Sequence, residues 1–387
     1  MKKILALVLA LCMVFALCAC GAKTEAPAAE APATEAPAAE APAEAPVFKV
    51  AMITDYGDIT DQSFNQTTYE ACKEFCDANS VDFKYYKPAG DSTAERVAMV
   101  DAAVADGFNV IVMPGFAFGE TVVQTVELYP DVYFIALDVS QGDLGDFVLP
   151  ENVFCAVYQE ELCGYMAGYA AVKLGYTKLG FLGGMAVPAV VRYGYGFVQG
   201  ADAAAAELGL TDVTMNYAYG NQFFGDADIT AAMDTWYSAG TEVVFACGGG
   251  IYTSAAEAAA KVGGKVIGVD TDQSAIIDGG YGEGMTVTSA MKGLSATVKS
   301  VLGDLILNDA WSNYAGQVST LGLIGEDPEA NFVQLPVAST QFAEGFTEAD
   351  YTALVAAMFK GEVTVSSDIE AEPAVTAITV DYQGNIK

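Results

Sequence analysis

Histidine is absent from the 387 residues of this chain, and basic residues are few. Without histidine the chain lacks the commonest general base, the usual serine triad and most zinc sites. Only 17 lysines and arginines stand against 50 aspartates and glutamates, which gives a formal net charge of −33 at pH 7. Such a surface repels nucleic acid, phosphates and anionic lipid headgroups, so a neutral or cationic partner is expected.

Cysteine is present but sparse. Beyond residue 46 the cysteines are few and widely spaced, with no close pairing of the metal-binding type: Cys72, Cys76, Cys155, Cys163 and Cys247. An odd number without such spacing argues against a disulfide framework, and we expect neither a metal nor a cofactor. Cys72 and Cys76 lie four apart on a predicted helix, where two buried thiols are the simplest interpretation.

The N-terminus has the pattern of an export signal. Lys2 and Lys3 precede an apolar stretch over residues 4–19, which is short for a membrane-spanning helix. Residues 17–21, LCACG, resemble the lipobox of bacterial lipoproteins, in which cleavage exposes a cysteine that is then acylated. We therefore expect residues 1–19 to be a signal peptide and Cys20 to carry the lipid. The alternative is an ordinary signal peptide that contains cysteine.

Residues 20–46 continue with a repeat of alanine, proline and glutamate that cannot build a core. Alanine–proline units favour an extended polyproline conformation, at ~3.1 Å per residue. The segment is therefore predicted to be a linker that holds a domain away from a membrane. A disordered recognition segment is the alternative.

Residues 47–387 alternate between short apolar runs and alanine-rich helical stretches. Ten strands are predicted, at 48–54, 81–86, 108–114, 132–137, 153–157, 179–182, 213–218, 243–247, 265–269 and 285–289. Eight helices are predicted, at 63–79, 93–106, 118–128, 160–175, 191–208, 226–238, 252–262 and 292–308. Alternation of this kind is typical of parallel sheets covered by helices, and ten strands divide naturally into two doubly wound, Rossmann-like α/β lobes.

Polar residues follow several of these strands. Asp55 follows VAMIT, Asp138 follows YFIAL and Asp270 follows KVIGV, while glycines 248–250 follow VVFAC. Ligands of open α/β sheets bind beyond the carboxyl ends of the strands, which makes these residues candidates for a site. Turn and helix-cap preferences of aspartate could explain any one of them alone.

Several segments together carry a family resemblance. ITDYGDITDQSFNQTTYEA, GFAFGE, FIALD, EELCGYMAGYAA, KLGFLGGMAVPAVVRYGYGFVQG, VVFACGGG and VIGVDTDQ followed by VTSAMK occur in this order between residues 48 and 325. In order and spacing they resemble the basic membrane lipoprotein family of nucleoside-binding proteins, which are substrate-binding components of ABC transporters.

The resemblance implies a type I periplasmic binding protein fold, in which the chain crosses three times between two lobes that close like a hinge on a ligand cleft. We expect residues 47–157 and 290–316 to form the N-terminal lobe. Residues 158–289 and 317–387 are expected to form the C-terminal lobe.

The resemblance also implies a nucleoside whose base is stacked between aromatic rings and whose ribose is held by carboxylates. On the first lobe, Asp55, Phe64 and Asn65 would serve the base and Asp138 the sugar. Asp270 and Lys292 would hold the ribose from the other side. Phe197 and Phe224 are both candidates for the second ring, and Gly249 would let the backbone approach the ligand.

Residues 63–66 suggest how the first of these side chains are presented. Ser63 and Gln66 fit a capping box, which would place Phe64 and Asn65 in the first turn of a helix facing Asp55. An amide can donate and accept at once, which matches the edge of a purine. Carboxylates accept hydrogen bonds from ribose hydroxyls and repel phosphate.

The predicted function is capture of a nucleoside, most simply a purine nucleoside, and its delivery to the permease and ATPase of an ABC importer. The protein would be a monomer held by its lipid on the outer face of a bacterial cell membrane, with no nucleic-acid partner and no enzymatic step. Two alternatives stay open. One is a receptor of the same fold for a sugar or a furanose signal, and the other is a nucleoside hydrolase using Asp270 and Asp272 around calcium.

Overall fold

A computed structural model describes residues 47–387. The signal peptide, Cys20 and the linker predicted for residues 1–46 lie outside the described residues. The described part is one compact unit. Among its helices, none combines the length and the apolar character needed to cross a bilayer.

Two parallel sheets organise the chain, as the sequence predicts. The strands are β1 Lys49–Ile53, β2 Asp82–Tyr86, β3 Val110–Pro114, β4 Tyr133–Leu137, β5 Val153–Tyr158, β6 Lys178–Gly183, β7 Val213–Tyr219, β8 Val243–Cys247, β9 Lys265–Asp270, β10 Thr286–Lys292, β11 Gln317–Leu321, β12 Val333–Gln334 and β13 Ile378–Asn385. The first sheet has the order β11-β5-β4-β3-β1-β2, and the second has the order β12-β10-β9-β8-β6-β7-β13. Only the β10–β12 pair is antiparallel among the described strands.

Helices connect the strands and cover both faces of each sheet. They are α1 Phe64–Asn79, α2 Thr93–Ala105, α3 Gly119–Thr125, α4 Gln141–Leu144, α5 Glu160–Lys173, α6 Pro188–Leu208, α7 Ala227–Ser238, α8 Tyr252–Val262, α9 Ser274–Tyr281, α10 Leu294–Ile306 and α11 Glu348–Phe359. The central strands are buried on both faces; β3, for example, is buried at every residue. Burial on both faces explains their continuous apolar runs.

The chain passes between the sheets three times. It leaves the first sheet after β5, returns after β10 through α10, which packs on α1, and leaves again after β11. The three connections run side by side, because Gln159 donates its N–H to the carbonyl of Leu321 and Gly293 donates its N–H to Phe332. A lobe boundary at residue 316 is therefore wrong, since β11 pairs with β5 in the first sheet.

Close helix packing explains the glycines of α5 and α6. A Cβ atom on Gly164 would collide with the carbonyl oxygen of Tyr193, and one on Gly196 would collide with that of Glu161. The glycines let the two helix backbones approach each other. This contact fixes Glu160, at the start of α5, against Arg192 of α6.

Candidate functional site

The two lobes enclose a cavity at the carboxyl ends of their strands. Its volume is about 340 Å³, within the usual range for small-molecule sites. Eight of the nine predicted ligand residues line it, namely Asp55, Phe64, Asn65, Asp138, Phe224, Gly249, Asp270 and Lys292. The structure therefore brings together residues that are up to 237 positions apart in the chain.

Phe197 is the exception among the predicted residues. Its side chain is fully buried in the core, where its ring centroid lies 5.3 Å from that of Phe245, and it does not line the cavity. The face of α6 that carries Phe197 packs inward, so the expectation that this ring could stack on a ligand is wrong. Phe223 and Phe224 line the cavity instead. Phe223 was not predicted as a site residue, although its neighbour Phe224 was.

Phe224 is the more accessible of the two rings. Its side chain is 55% exposed, and its backbone pairs with Gly250 beyond β8. Gly249 has φ 54°, which is a left-handed conformation that suits glycine. The glycine turn after β8 thus holds the loop that carries Phe224.

Asp55 is fixed by hydrogen bonds around the start of α1. Its Oδ1 accepts the N–H groups of Tyr56 and Gly57 at 2.6 and 2.7 Å and the Asn65 amide at 3.2 Å. Burial raises the pKa of the Asp55 carboxyl, an effect that these hydrogen bonds partly oppose. Its Oδ2 accepts no hydrogen bond from the described residues.

Asn65 differs from its predicted role. Its amide nitrogen donates to Asp55 and, at 3.1 Å, to Asp61. The reverse amide orientation would place its oxygen against two carboxylates, so this assignment is the favourable one. Its Oδ1 is buried and has no hydrogen-bond partner among residues 47–387. Asn65 therefore has only an acceptor to offer, where a combined donor and acceptor was predicted.

The predicted capping box is also wrong. Asp61 accepts the backbone N–H groups of Ser63, Asn65 and Gln66 and thereby occupies the start of α1. The Ser63 hydroxyl donates to Asp270 Oδ2 at 2.6 Å, across the two lobes. A carboxylate is the stronger acceptor for backbone N–H groups at a helix N-terminus, which frees the serine for this distant partner.

Lys292 lies buried among carboxylates at the end of β10. Its Nζ lies 2.6 Å from Asp138 Oδ2 and 3.1 Å from Glu160 Oε1, and Arg192 pairs with the other Glu160 oxygen at 2.6 Å. The Lys292 ammonium also lies 5.1 Å from the centroid of the Phe64 ring. Arg192 lines the cavity and Glu160 holds it and Lys292 from behind; neither residue was predicted, because nothing in the local sequence marks them.

Burial and charge compete in this cluster. Burial would lower the pKa of Lys292, but attraction to Asp138, Glu160 and Asp270 outweighs it and raises that pKa, so the ammonium stays charged. Burial raises the pKa of Asp138 to about 6, although the lysine opposes the shift. Burial likewise raises the pKa of Asp270. Asp138 Oδ1 is buried without a hydrogen-bond partner in the described part of the chain.

Two of the three strand-end aspartates have unusual backbones. Asp138 has φ 60° and Asp270 has φ 64°, both in the left-handed region that non-glycine residues rarely adopt. Such conformations persist where the surroundings require them and cluster at functional sites.

The hydrolase alternative placed Asp270 and Asp272 around a calcium ion. In residues 47–387 no three aspartate, glutamate, cysteine or histidine side chains are grouped to hold a metal. Asp272 accepts instead from Ser274 and from Ser339, the latter at 2.7 Å. Its carboxylate is thus held by other protein groups and is not among the residues that line the cavity.

The model of the Bmp family matches residues 48–324. This family is described as PnrA-like ABC transporter substrate-binding proteins. The chain belongs to this family. It is therefore an ABC transporter solute-binding protein, a class that binds its solute and is not enzymatic.

Curated relatives agree with this assignment. The nucleoside-binding protein BmpA of Lactococcus lactis is 26% identical over 65% of this chain and 73% of its own length. Basic membrane protein B of Borreliella burgdorferi is 28% identical over 71% of this chain and 78% of its own.

A solute-binding protein of Conexibacter woesei matches with a TM-score of 0.64 at 21% identity, over 83% of this chain and 99% of that one. The arabinose-binding protein AraP of Geobacillus stearothermophilus matches with a TM-score of 0.52 at 17% identity, over 67% of this chain and 87% of that one. These likenesses confirm the predicted type I periplasmic binding protein fold.

Proposed function

We propose that this solute-binding protein captures purine nucleosides in the cavity between its lobes and passes them to the permease of an ABC importer. The observation that carries the proposal is the combination, in one cavity, of flat rings with carboxylates from both sheets. Phe64 and Phe224 supply the rings, and Asp138 and Asp270 supply the carboxylates. The BmpA relative, described as nucleoside-binding, supports the same ligand class.

The rings suit the base of a nucleoside. A base stacked on aromatic side chains gains roughly 1–3 kcal/mol per ring by analogy with single-stranded nucleic acid recognition. Stacking alone tolerates any base. We therefore assign choice of base to Asp55 and Asn65, whose remaining free oxygens are acceptors and call for N–H donors on the base edge.

The carboxylates suit the sugar. Ribose hydroxyls can donate to Asp138 and Asp270, which line the cavity from different lobes. Asp138 Oδ1, buried without a partner in the described residues, is a natural acceptor for such a hydroxyl. Lys292, held by Asp138, can donate to a ribose oxygen.

The charge balance of the cavity disfavours phosphorylated ligands. Its two basic lining residues, Lys292 and Arg192, are each paired with a buried carboxylate at 2.6 Å. Asp55, Asp58, Asp61 and other lining carboxylates leave an acidic rim. A phosphate would therefore meet repulsion without a free cation to bind it.

The route to the cell surface is part of the proposal. The lipobox at residues 17–21 would give a protein anchored by acylated Cys20 at the outer face of the cell membrane, with residues 20–46 as linker. Closure of the lobes on ligand would present the loaded form to the permease and ATPase.

Thermal unfolding with a panel of compounds tests the proposal. Guanosine, inosine and adenosine should raise the free energy of unfolding, by ~2.7 kcal/mol at one hundred times the dissociation constant. Their monophosphates should not. Purine riboside, which has no N–H donor on its base edge, should bind about tenfold more weakly than guanosine. A response to pentoses and none to nucleosides would overturn the proposal.

A further inference from the structure

A pair of hydrogen bonds joins the lobes directly beside the cavity. The Ser63 hydroxyl, beside the start of α1, donates to Asp270 Oδ2 at 2.6 Å. Next to it, the Gln273 amide donates to the carbonyl oxygen of Gln62 at 3.0 Å. Ser63 and Gln62 belong to the first lobe, and Asp270 and Gln273 to the second. We call these two bonds the interlobe latch.

Both sides of the interlobe latch are rigidly built. Gln62 has φ 57°, a left-handed conformation, and its N–H is held by Gln66 Oε1 at 3.1 Å. On the opposite lobe Gln273 Oε1 accepts the N–H of Val269 at 3.0 Å. Ser63 and Gln273 are fully buried. A strained backbone and fully buried polar side chains indicate that this contact is specified by its surroundings.

Asp270 connects the latch with the sugar site. Ser63 occupies its Oδ2, whereas its Oδ1 accepts no hydrogen bond from the described residues. Ser63 and Gln273 do not line the cavity, but Asp270 does. One carboxylate can thus hold the first lobe with one oxygen and a ligand hydroxyl with the other.

We propose that Ser63 is a positioning residue for nucleoside binding, which orients Asp270 toward the ribose and holds the lobes closed through the interlobe latch. The inference rests on the proposed function for the identity of the ligand. Closure by the latch favours the conformation in which both lobes touch the ligand. A ligand that binds the closed form better is then released more slowly.

The experiment compares two serine substitutions in the purified protein. Ser63→Ala removes the hydrogen bond to Asp270 and leaves the bond between Gln273 and Gln62 in place. Ser339→Ala is the matched control, because Ser339 donates to Asp272 at 2.7 Å within the second lobe. Small-angle scattering without nucleoside and stopped-flow dissociation of guanosine are measured for both variants, with thermal melting to verify folding.

We expect Ser63→Ala to increase the radius of gyration without nucleoside and to speed guanosine dissociation about tenfold. Ser339→Ala should change the radius of gyration little and the dissociation rate less than about twofold. Ser63→Cys, which keeps the size and weakens the donor, should lie between wild type and Ser63→Ala and serves if the alanine variant does not fold.

The outcomes separate the latch from the proposed function. Equal behaviour of Ser63→Ala and Ser339→Ala in scattering would overturn the latch, whatever the protein binds. Expansion of Ser63→Ala alone, in a protein that binds no nucleoside, would keep the latch and overturn the proposed function. Expansion with an unchanged guanosine dissociation rate would overturn the positioning role of Ser63.

Discussion

Phe64 and Asp270 illustrate which single residues of the site can be predicted from the sequence. Phe64 begins α1 and was assigned to the site by its family resemblance, whereas Asp270 ends a buried strand, a position that by itself points to the cleft. Ser63 was predicted to cap α1, but its hydroxyl has a partner 207 positions away. Local spacing predicts local hydrogen bonds and carries no information about a bond to the other lobe.

Stacking and sugar recognition should separate in two variants. Phe64→Ala should weaken guanosine, adenosine and free guanine about equally, by about 1–3 kcal/mol, because the ring contacts any base. Asp270→Ala should weaken the nucleosides more than free guanine, because the ribose loses its acceptor as well as the closure given by the interlobe latch, whereas the free base loses only the closure. Titration calorimetry measures all three ligands. Phe359→Ala, at a 45% exposed ring on α11, is the control. Equal losses in both variants would refute the division of roles.

At the scale of elements, the first ten strands, including the edge strand β2, were predicted within a few residues, and the last three were not. All ten predicted strands exist, whereas β11, β12 and β13 were missed. β11 has no buried residue and β12 has two residues, so neither carries an apolar run. β13 extends the second sheet beside β7 and is buried only at Ile378. Edge strands of this kind are defined by their pairing partner, which the sequence does not reveal.

β13 leads directly to the loop that carries Phe224. Beyond the strand, Ile386 donates its N–H to Tyr219 at 2.8 Å, and the Lys387 ammonium pairs with Asp226. Asp226 caps α7 and accepts from Gln222, which also donates to the carbonyl of Phe224 at 2.8 Å. The residues after β13 thus support the aromatic loop from outside the cavity.

Loss of this support should weaken binding modestly. Lys387→Met should raise the dissociation constant for guanosine about two- to fivefold, since exposed ion pairs contribute little energy and act here through the position of one ring. Lys261→Met is the matched control, because Lys261 pairs with Asp234 at 2.9 Å on the same lobe. The effect should disappear in a Phe224→Ala background. An equal effect in that background would contradict a role through the ring.

At the scale of the whole molecule, buried acids beside the hinge make stability depend on pH. Glu161, on α5 near the first connection between lobes, is 4% exposed, and its Oε2 has no partner among the described residues. Burial raises the pKa of Glu161 from 4.5 to about 7, opposed in part by Arg192. The folded protein therefore holds this proton more tightly than the unfolded chain does.

The sign of the pH dependence follows from that difference. The stabilising contribution of the protonated acid is full below pH 4.5 and is lost as the pH rises through about 7. Between pH 4.5 and pH 8 the free energy of unfolding should fall by about 3 kcal/mol less in Glu161→Gln than in the wild type. Urea unfolding at the two pH values measures this difference. Glu344→Gln, at an exposed position, is the control. An unchanged difference between the two pH values in Glu161→Gln would contradict the assignment.

The left-handed backbones of Asp138 and Asp270 imply a conflict between thermal stability and the proposed binding role of these two residues. Glycine would relieve the backbone strain at both positions, and selection for stability alone would favour glycine there. A variant selected only for thermal stability would therefore tend to lose both carboxylates. It would be well folded but without the two acceptors proposed to hold the sugar.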